Sequence, residues 1–184
     1  MRLAAVTGRF QPVHHQHLEL FALALTGRDH LVVAVTNPDT GARHEASTSA
    51  HRHTDAANPF TYFERTRLLA AALADADLAG RATVVPFDLT RPWVWPEYVP
   101  LHAQQFVRAY SPWEEDKAGR LAEGGYAVTL LAGDPAAKLD ASDVRVHLRD
   151  GTWEPWVPAS TAPVLRELLA SRPMADRQRT PETR

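Results

Sequence analysis

Leu3-Ala4-Ala5-Val6-Thr7, followed by Gly8-Arg9-Phe10-Gln11-Pro12-Val13-His14-His15-Gln16-His17, is the stretch whose reading decides the fold. An apolar run of strand length passes at once into a glycine turn. A helix begins inside the segment, because Leu18, Phe21, Ala22 and Leu25 repeat at helical spacing between His15 and Leu25. Strand, glycine turn and helix in that order open a parallel α/β sheet, whose ligands bind beyond the carboxyl ends of the strands and often at helix N-termini. That position carries His14 and His17, one helical turn apart so that both can face one anion, with Arg9 in the turn. Such groups suit phosphoryl or nucleotidyl transfer, where a protein mainly positions reactants and neutralises charge on phosphate oxygens. Spacing alone leaves two other readings open. The histidines could be merely solvated, or form part of a zinc site, although no third ligand sits at a recognisable spacing.

Working outward, apolar runs alternate with helix-period segments, the pattern of an α/β domain. Strands are predicted at Leu31–Val35, Ala82–Phe87, Phe106–Tyr110 and Ala127–Leu131. Helices are predicted at Pro59–Asp75, Glu114–Glu123, Ser142–Leu148 and Thr161–Ser171. Between Asn37 and Asn58 lies a long polar loop holding His44, His51 and His53, read as solvated or, alternatively, as a lid. Arg91–Pro100, with its prolines, Trp93 and Trp95, is read as irregular. Trp93 is expected to cover the sheet end, and Trp153 and Trp156 to pack against the last helices. The 184 residues suit one domain, 1–172, with 173–184 as a frayed tail. A net charge of -2 signals no nucleic-acid partner, and the absence of cysteine removes disulfides and thiolate sites. No apolar run reaches the roughly 18 residues of a membrane span, and the N-terminus reads as a strand rather than a signal peptide, so a cytoplasmic protein is expected.

Several motifs in order resemble the archaeal-type nicotinamide mononucleotide (NMN) adenylyltransferases, members of the His-x-Gly-His nucleotidyltransferase superfamily. Gly8-Arg9-Phe10-Gln11-Pro12 with His14 and His17 is similar to that family's first phosphate motif. Asn58-Pro59-Phe60-Thr61 with Glu64-Arg65 looks like its Pro-Phe-Thr-x-x-Glu-Arg helix start. Asp88 and Trp95, Gly125-Tyr126-x-Val128, and Asp140 to Arg145 followed by Asp150-Gly151-x-Trp153 and Val157-Pro158 continue the match to about Ser171. The resemblance implies a Rossmann-like, doubly wound parallel sheet and transfer of a nucleoside monophosphate with release of pyrophosphate. It implies catalytic roles for His14, His17, Arg145 and Arg9. Gly8, Phe10, Gln11, Gln16 and Ser142 would bind the nucleotide, and Trp95, Asp88 and Arg65 the acceptor. Mg²⁺ would arrive with the nucleoside triphosphate, no protein-held metal site is expected, and a homo-oligomer is compatible with the family.

The chain departs from the family pattern at three places. Gln16 stands where the motif has Gly, Ala57 where it has an arginine two residues before Pro-Phe-Thr, and Pro92 where it has Asn. A Gln side chain fills space beside the base and offers an amide, which suits a pyrimidine better than adenine. The reading favoured is therefore a CTP-dependent cytidylyltransferase of a small phosphonate or phosphate, similar to those of phosphonate natural-product pathways. The alternative is an ATP-dependent NMN adenylyltransferase in which Arg43 or Arg52 replaces the missing arginine. A remote third is a non-catalytic nucleotide sensor.

Overall fold

The computed structural model describes residues 1–44 and 53–172. Residues 45–52, which include His51 and Arg52, and the expected tail 173–184 lie outside the described residues. Five parallel strands, β1 (Leu3–Gly8), β2 (His30–Thr36), β3 (Ala82–Phe87), β4 (Gln104–Ala109) and β5 (Val128–Ala132), form one sheet in the order β3-β2-β1-β4-β5. The chain runs outward from β1 through β2 to β3, then returns past its starting point to β4 and β5. This is the doubly wound order predicted, with its switch point between β1 and β4.

Side chains of successive strand residues alternate between two cores. Ala4, Val6, Leu31, Val33 and Val35 face α1 (His15–Leu25), α2 (Tyr62–Asp75), α5 (Ala141–Asp150) and α6 (Thr161–Ala170) through Phe21, Leu69, Val144 and Leu165. Leu3, Ala5, Val32 and Ala34 face α3 (Trp95–Tyr98) and α4 (Pro112–Glu123) through Trp95, Ala118 and Leu121. Each fully buried Leu or Phe contributes about 1.5–3 kcal/mol relative to exposure.

The boundaries shift where capping chemistry decides. Helix α2 starts at Tyr62 rather than Pro59, because Thr61 caps it: its Oγ1 accepts from the Glu64 N–H while the Glu64 carboxylate accepts from the Thr61 N–H. Helix α4 starts at Pro112, the first-turn position that tolerates a missing N–H. Helix α5 runs on to Asp150 and stops at Gly151, whose φ of 81° favours glycine. Strand β4 begins at Gln104, earlier than predicted, and the buried Gln105 amide oxygen accepts from Thr7 Oγ1 across the sheet. The irregular segment 91–100 contains a 3₁₀ turn at Pro92–Val94 and a short helix, α3, which the prolines obscured.

Register places the site. Strands β1 and β2 stay paired out to Gly8 and Val35, whereas β1 and β4 pair only as far as Val6 and Phe106. The two strands part at their carboxyl ends, and a cleft opens there.

Candidate active site

Beyond Thr7 the chain must turn sharply. At Gly8 a Cβ would meet the Phe10 ring at 2.9 Å, so the glycine makes room for a ring folded back over it. Phe10 itself has φ 51°, a left-handed conformation unusual for a bulky residue and one often found at functional sites. Its buried ring lies edge-on to His17 at 4.9 Å and to Phe21 at 5.6 Å, forming the floor under the histidine. Gln11 fixes the next step. Its amide donates to the Phe60 carbonyl and accepts from the Phe60 N–H, each at 2.9 Å, tying the turn to the approach of α2.

His14 is the residue before α1 and is buried; His17 lies in the first turn. The His14 backbone N–H donates to His17 Nδ1 at 3.1 Å, which leaves the proton of a neutral His17 ring on Nε2. The two rings stack with centroids 3.6 Å apart, and His14 Nδ1 is buried with no hydrogen-bond partner. Burial pushes the His14 pKa down to about 3, partly opposed by Asp140 and aided by His15. Burial also holds His17 well below its ordinary value, followed by the charges of His14, Lys117 and Arg108. Both rings are neutral at pH 7. The pair supplies hydrogen-bonding nitrogens, and the charge comes from residues around it.

The cleft over this pair has a volume of about 150 Å³ and is lined by Gly8, Arg9, Phe10, Gln11, His14, Gln16 and His17 from the opening motif. This is smaller than the roughly 300 Å³ at which ligand pockets usually begin, so it takes part of a nucleotide and leaves the rest over its open mouth. The other wall was not found by sequence reasoning. Arg108 and Tyr110 follow from β4, Trp113 and Lys117 from α4, and Lys138 and Asp140 from the connection into α5. The one signal available was the spacing of Trp113 and Lys117, a turn apart on a helix whose apolar stripe is Ala118 and Leu121. Lys117 Nζ donates to the Thr7 carbonyl at 2.9 Å, where β1 leaves β4. Four cationic side chains, Arg9, Arg108, Lys117 and Lys138, face two carboxylates, Glu114 and Asp140. Such a balance attracts a polyanion.

The start of α5 borders the cleft. Asp140 Oδ1 accepts from the Ser142 N–H at 2.9 Å and from Ser142 Oγ at 2.7 Å. Burial alone would raise its pKa, but these bonds and the charges of Lys138 and Arg145 hold it at about 2. The Ser142 hydroxyl is therefore engaged with its own cap, and Ser142 does not line the cleft. Arg145 is buried behind the floor, where Nη1 donates to the Gln11 carbonyl at 3.2 Å.

Gln16 does line the cleft, but its amide is not a free reader of a base. Nε2 donates to the Ala137 carbonyl at 2.6 Å, and Oε1 accepts from the Leu139 N–H at 2.8 Å and from Tyr110 OH at 3.3 Å. That corrects the expectation of an amide offered to a pyrimidine.

None of the three expected acceptor residues lines the cleft, for a physical reason in each case. Arg65 is 1% exposed; Nη1 donates to the carbonyls of Arg9 and Thr36, and Nη2 to that of Asn37, so it staples strand ends to α2. Trp95 is 2% exposed, stacks on Phe87 and donates from Nε1 to the Asp88 carbonyl at 2.7 Å. The Asp88 carboxylate accepts from the Thr90 N–H and Oγ1 and from Arg91 Nε, holding the turn after β3. On this side of β1, Arg9 Nη1 donates to the carbonyl of Ala57, and Arg43 pairs with Asp55 at 2.7 Å. Trp93 is exposed, while Trp153 is core, as expected of it. His44 is exposed, and His53 is half-buried with Nδ1 lacking a partner.

A cation-lined cleft at the switch point of a doubly wound sheet, over a neutral histidine pair at a helix start, is the arrangement of an enzyme that handles nucleotides. No protein-family model matches the chain. It is 32% identical over 164 residues to a phosphonoformate cytidylyltransferase of Streptomyces viridochromogenes, covering 88% of this chain and 89% of that protein. It is 28% identical over 163 residues to a nicotinamide-nucleotide adenylyltransferase of Thermococcus onnurineus, covering 88% and 80%. The fold matches the crystal structure of a bifunctional NMN adenylyltransferase/ADP ribose pyrophosphatase from Francisella tularensis with a TM-score of 0.63 at 13% identity, over 92% of this chain and about half (52%) of that one. The chain belongs to the nucleotidyltransferase superfamily that holds this cytidylyltransferase and the archaeal adenylyltransferases. It is a nucleotidyltransferase enzyme, and among the described residues no helix is long and apolar enough to cross a membrane.

Proposed function

We propose that this enzyme transfers CMP from CTP to a small phosphonate, of the size and charge of phosphonoformate. The observation that carries the reading is the 32% identity over 164 residues with a phosphonoformate cytidylyltransferase. The cleft adds support, because Gln16 joins the chain at 137–139 to the start of α1, which leaves less room beside them for a larger base. An acceptor oxygen attacks the α-phosphorus in line; the new P–O bond forms as the bond to the bridging oxygen breaks, and pyrophosphate leaves with that electron pair. The nucleophile is already an ionised oxygen and needs no general base. His17 donates from Nε2 to the phosphate region, while Arg9, Arg108, Lys117 and Lys138 offset charge spreading over its oxygens. Arg145 stiffens the floor through the Gln11 carbonyl.

Among the described residues no group of three His, Asp or Glu side chains forms a metal cage. Glu114 and Asp140 are each held by neighbouring donors, at Ser111 and Ser142. This donor set fits an ion carried by phosphate oxygens and water. Mg²⁺ arriving so would neutralise the triphosphate, and Glu114 and Asp140 would be the carboxylates of the cleft able to assist.

One observation favours a second reading, NMN adenylyltransfer. Arg9 reaches the Ala57 carbonyl, and Arg43 pairs with Asp55 two residues earlier, so two arginines flank the segment where an acceptor phosphate would need cations. Pyrophosphate release with Mg²⁺, crossing CTP and ATP against phosphonoformate and NMN, separates the two. At least about tenfold higher kcat/KM for CTP with phosphonoformate is expected, a difference of about 1.4 kcal/mol. Turnover of ATP with NMN alone would overturn the proposal.

A further inference from the structure

We propose that Gln16 is a positioning residue that selects the nucleotide indirectly, by latching the connection between β5 and α5 onto the start of α1. Both ends of its amide are used by one short segment, the Ala137 carbonyl and the Leu139 N–H. The segment's own backbone bonds are local, from Ala137 N–H to the Asp134 carbonyl and from Lys138 N–H to the Pro135 carbonyl, and Asp134 to Ala137 is exposed. Two contacts from a helix more than 100 residues away in sequence tie this segment's backbone to α1.

The segment delivers two cleft residues, Lys138 and Asp140. Lys138 Nζ sits 3.6 Å from both Glu114 Oε1 and Asp140 Oδ2, and 5.4 Å from the centre of the Tyr110 ring. The latch is braced from the other wall. Tyr110 OH donates to Gln16 Oε1, and Arg108 Nη1 reaches both Tyr110 OH and Glu19. A residue that touches backbone on one side and Tyr110 on the other sets the width between Tyr110 and Lys138. Held by Gln16, Lys138 stays against the Tyr110 ring and narrows the cleft mouth; released, it leaves more room there for a two-ring base. The base-selection half of this inference rests on the CTP reading, while the latch itself does not.

Two variants of the full chain test it. Gln16→Ala removes both bonds and keeps a strong helix former. Gln16→Glu keeps the size but sets an oxygen against the Ala137 carbonyl. The Leu139 amide hydrogen should exchange about three- to tenfold faster in Gln16→Ala than in wild type, the scale of one lost hydrogen bond. The ratio of kcat/KM for CTP over ATP, with Mg²⁺ and phosphonoformate, should fall about threefold or more in both variants. Unchanged Leu139 exchange in Gln16→Ala overturns the latch. Faster exchange with an unchanged nucleotide ratio overturns its role in selection. A wild-type enzyme that uses ATP and not CTP overturns the cytidylyl reading and the selection together, and Leu139 exchange then decides the latch alone.

Discussion

Helices α1 and α2 both begin beyond the carboxyl ends of neighbouring strands, yet they leave their polar groups in opposite conditions. At α2 the Thr61–Glu64 box closes on itself, Gln11 holds both backbone groups of Phe60, and Arg65 serves four carbonyls. At α1 the buried His14 Nδ1 has no partner, His17 keeps Nε2–H toward the cleft wall, and cationic side chains stand around them. Saturated helix starts hold the fold together. Chemistry collects where hydrogen-bonding capacity remains and charge surrounds it.

The largest test of that contrast is His17→Ala. It should lower kcat by about two orders of magnitude or more, as loss of a transition-state contact does, while thermal unfolding shifts little. Arg65→Met should do the reverse, costing about 2–4 kcal/mol in urea unfolding because buried carbonyls lose a charged donor. Turnover per folded molecule should fall far less than in His17→Ala; a drop of that size instead would return Arg65 to the acceptor site.

Acid sensitivity belongs to the α1 side. Unfolded His14 takes up a proton near 6.5 and the folded residue only near 3, so the unfolded state is favoured increasingly as pH falls between those values. His17 acts in the same direction. Asp140 contributes stability above 3.8 that is lost as pH falls toward 2. Denaturant midpoints should therefore decline from about pH 6.5 downward, by about a few kcal/mol in all, and His14→Asn should flatten part of that slope, leaving the share of His17 and Asp140. A flat profile in wild type from 6.5 to 4 would contradict the neutral buried pair.

Lys117→Met should raise KM for the triphosphate about tenfold, near the 1.4 kcal/mol of a charge-assisted contact. It should also raise the His17 pKa, visible by NMR titration, because Lys117 is one of the charges depressing it. The smallest effect is expected at Trp95→Phe, which loses the bond to the Asp88 carbonyl and about 1 kcal/mol of stability. KM for the acceptor should stay within about twofold; a larger rise would show that the ring meets substrate.

The doubly wound parallel sheet and the grouping of residues at the start of α1 were legible in the sequence, because a strand, glycine turn and helix are local and the histidine pair lies within one turn. The other half was not. Lys117, Arg108 and Lys138 come from three later elements and meet only through the sheet's return past β1. Motif spacing also singled out Arg65, Asp88 and Trp95, but spacing does not reveal that nearby groups already occupy them. Gln16 stands between these cases: its position in the cleft followed from the motif, while its partners, Ala137 and Leu139, lie on a segment no periodicity connects to α1.

Phosphorus NMR of the products tests the central claim most directly. Incubation of the wild-type enzyme with CTP, phosphonoformate and Mg²⁺ should yield pyrophosphate and a pair of coupled resonances from a phosphonate joined to CMP through one bridging oxygen. No such pair with CTP, and NAD formed from ATP and NMN instead, would contradict it.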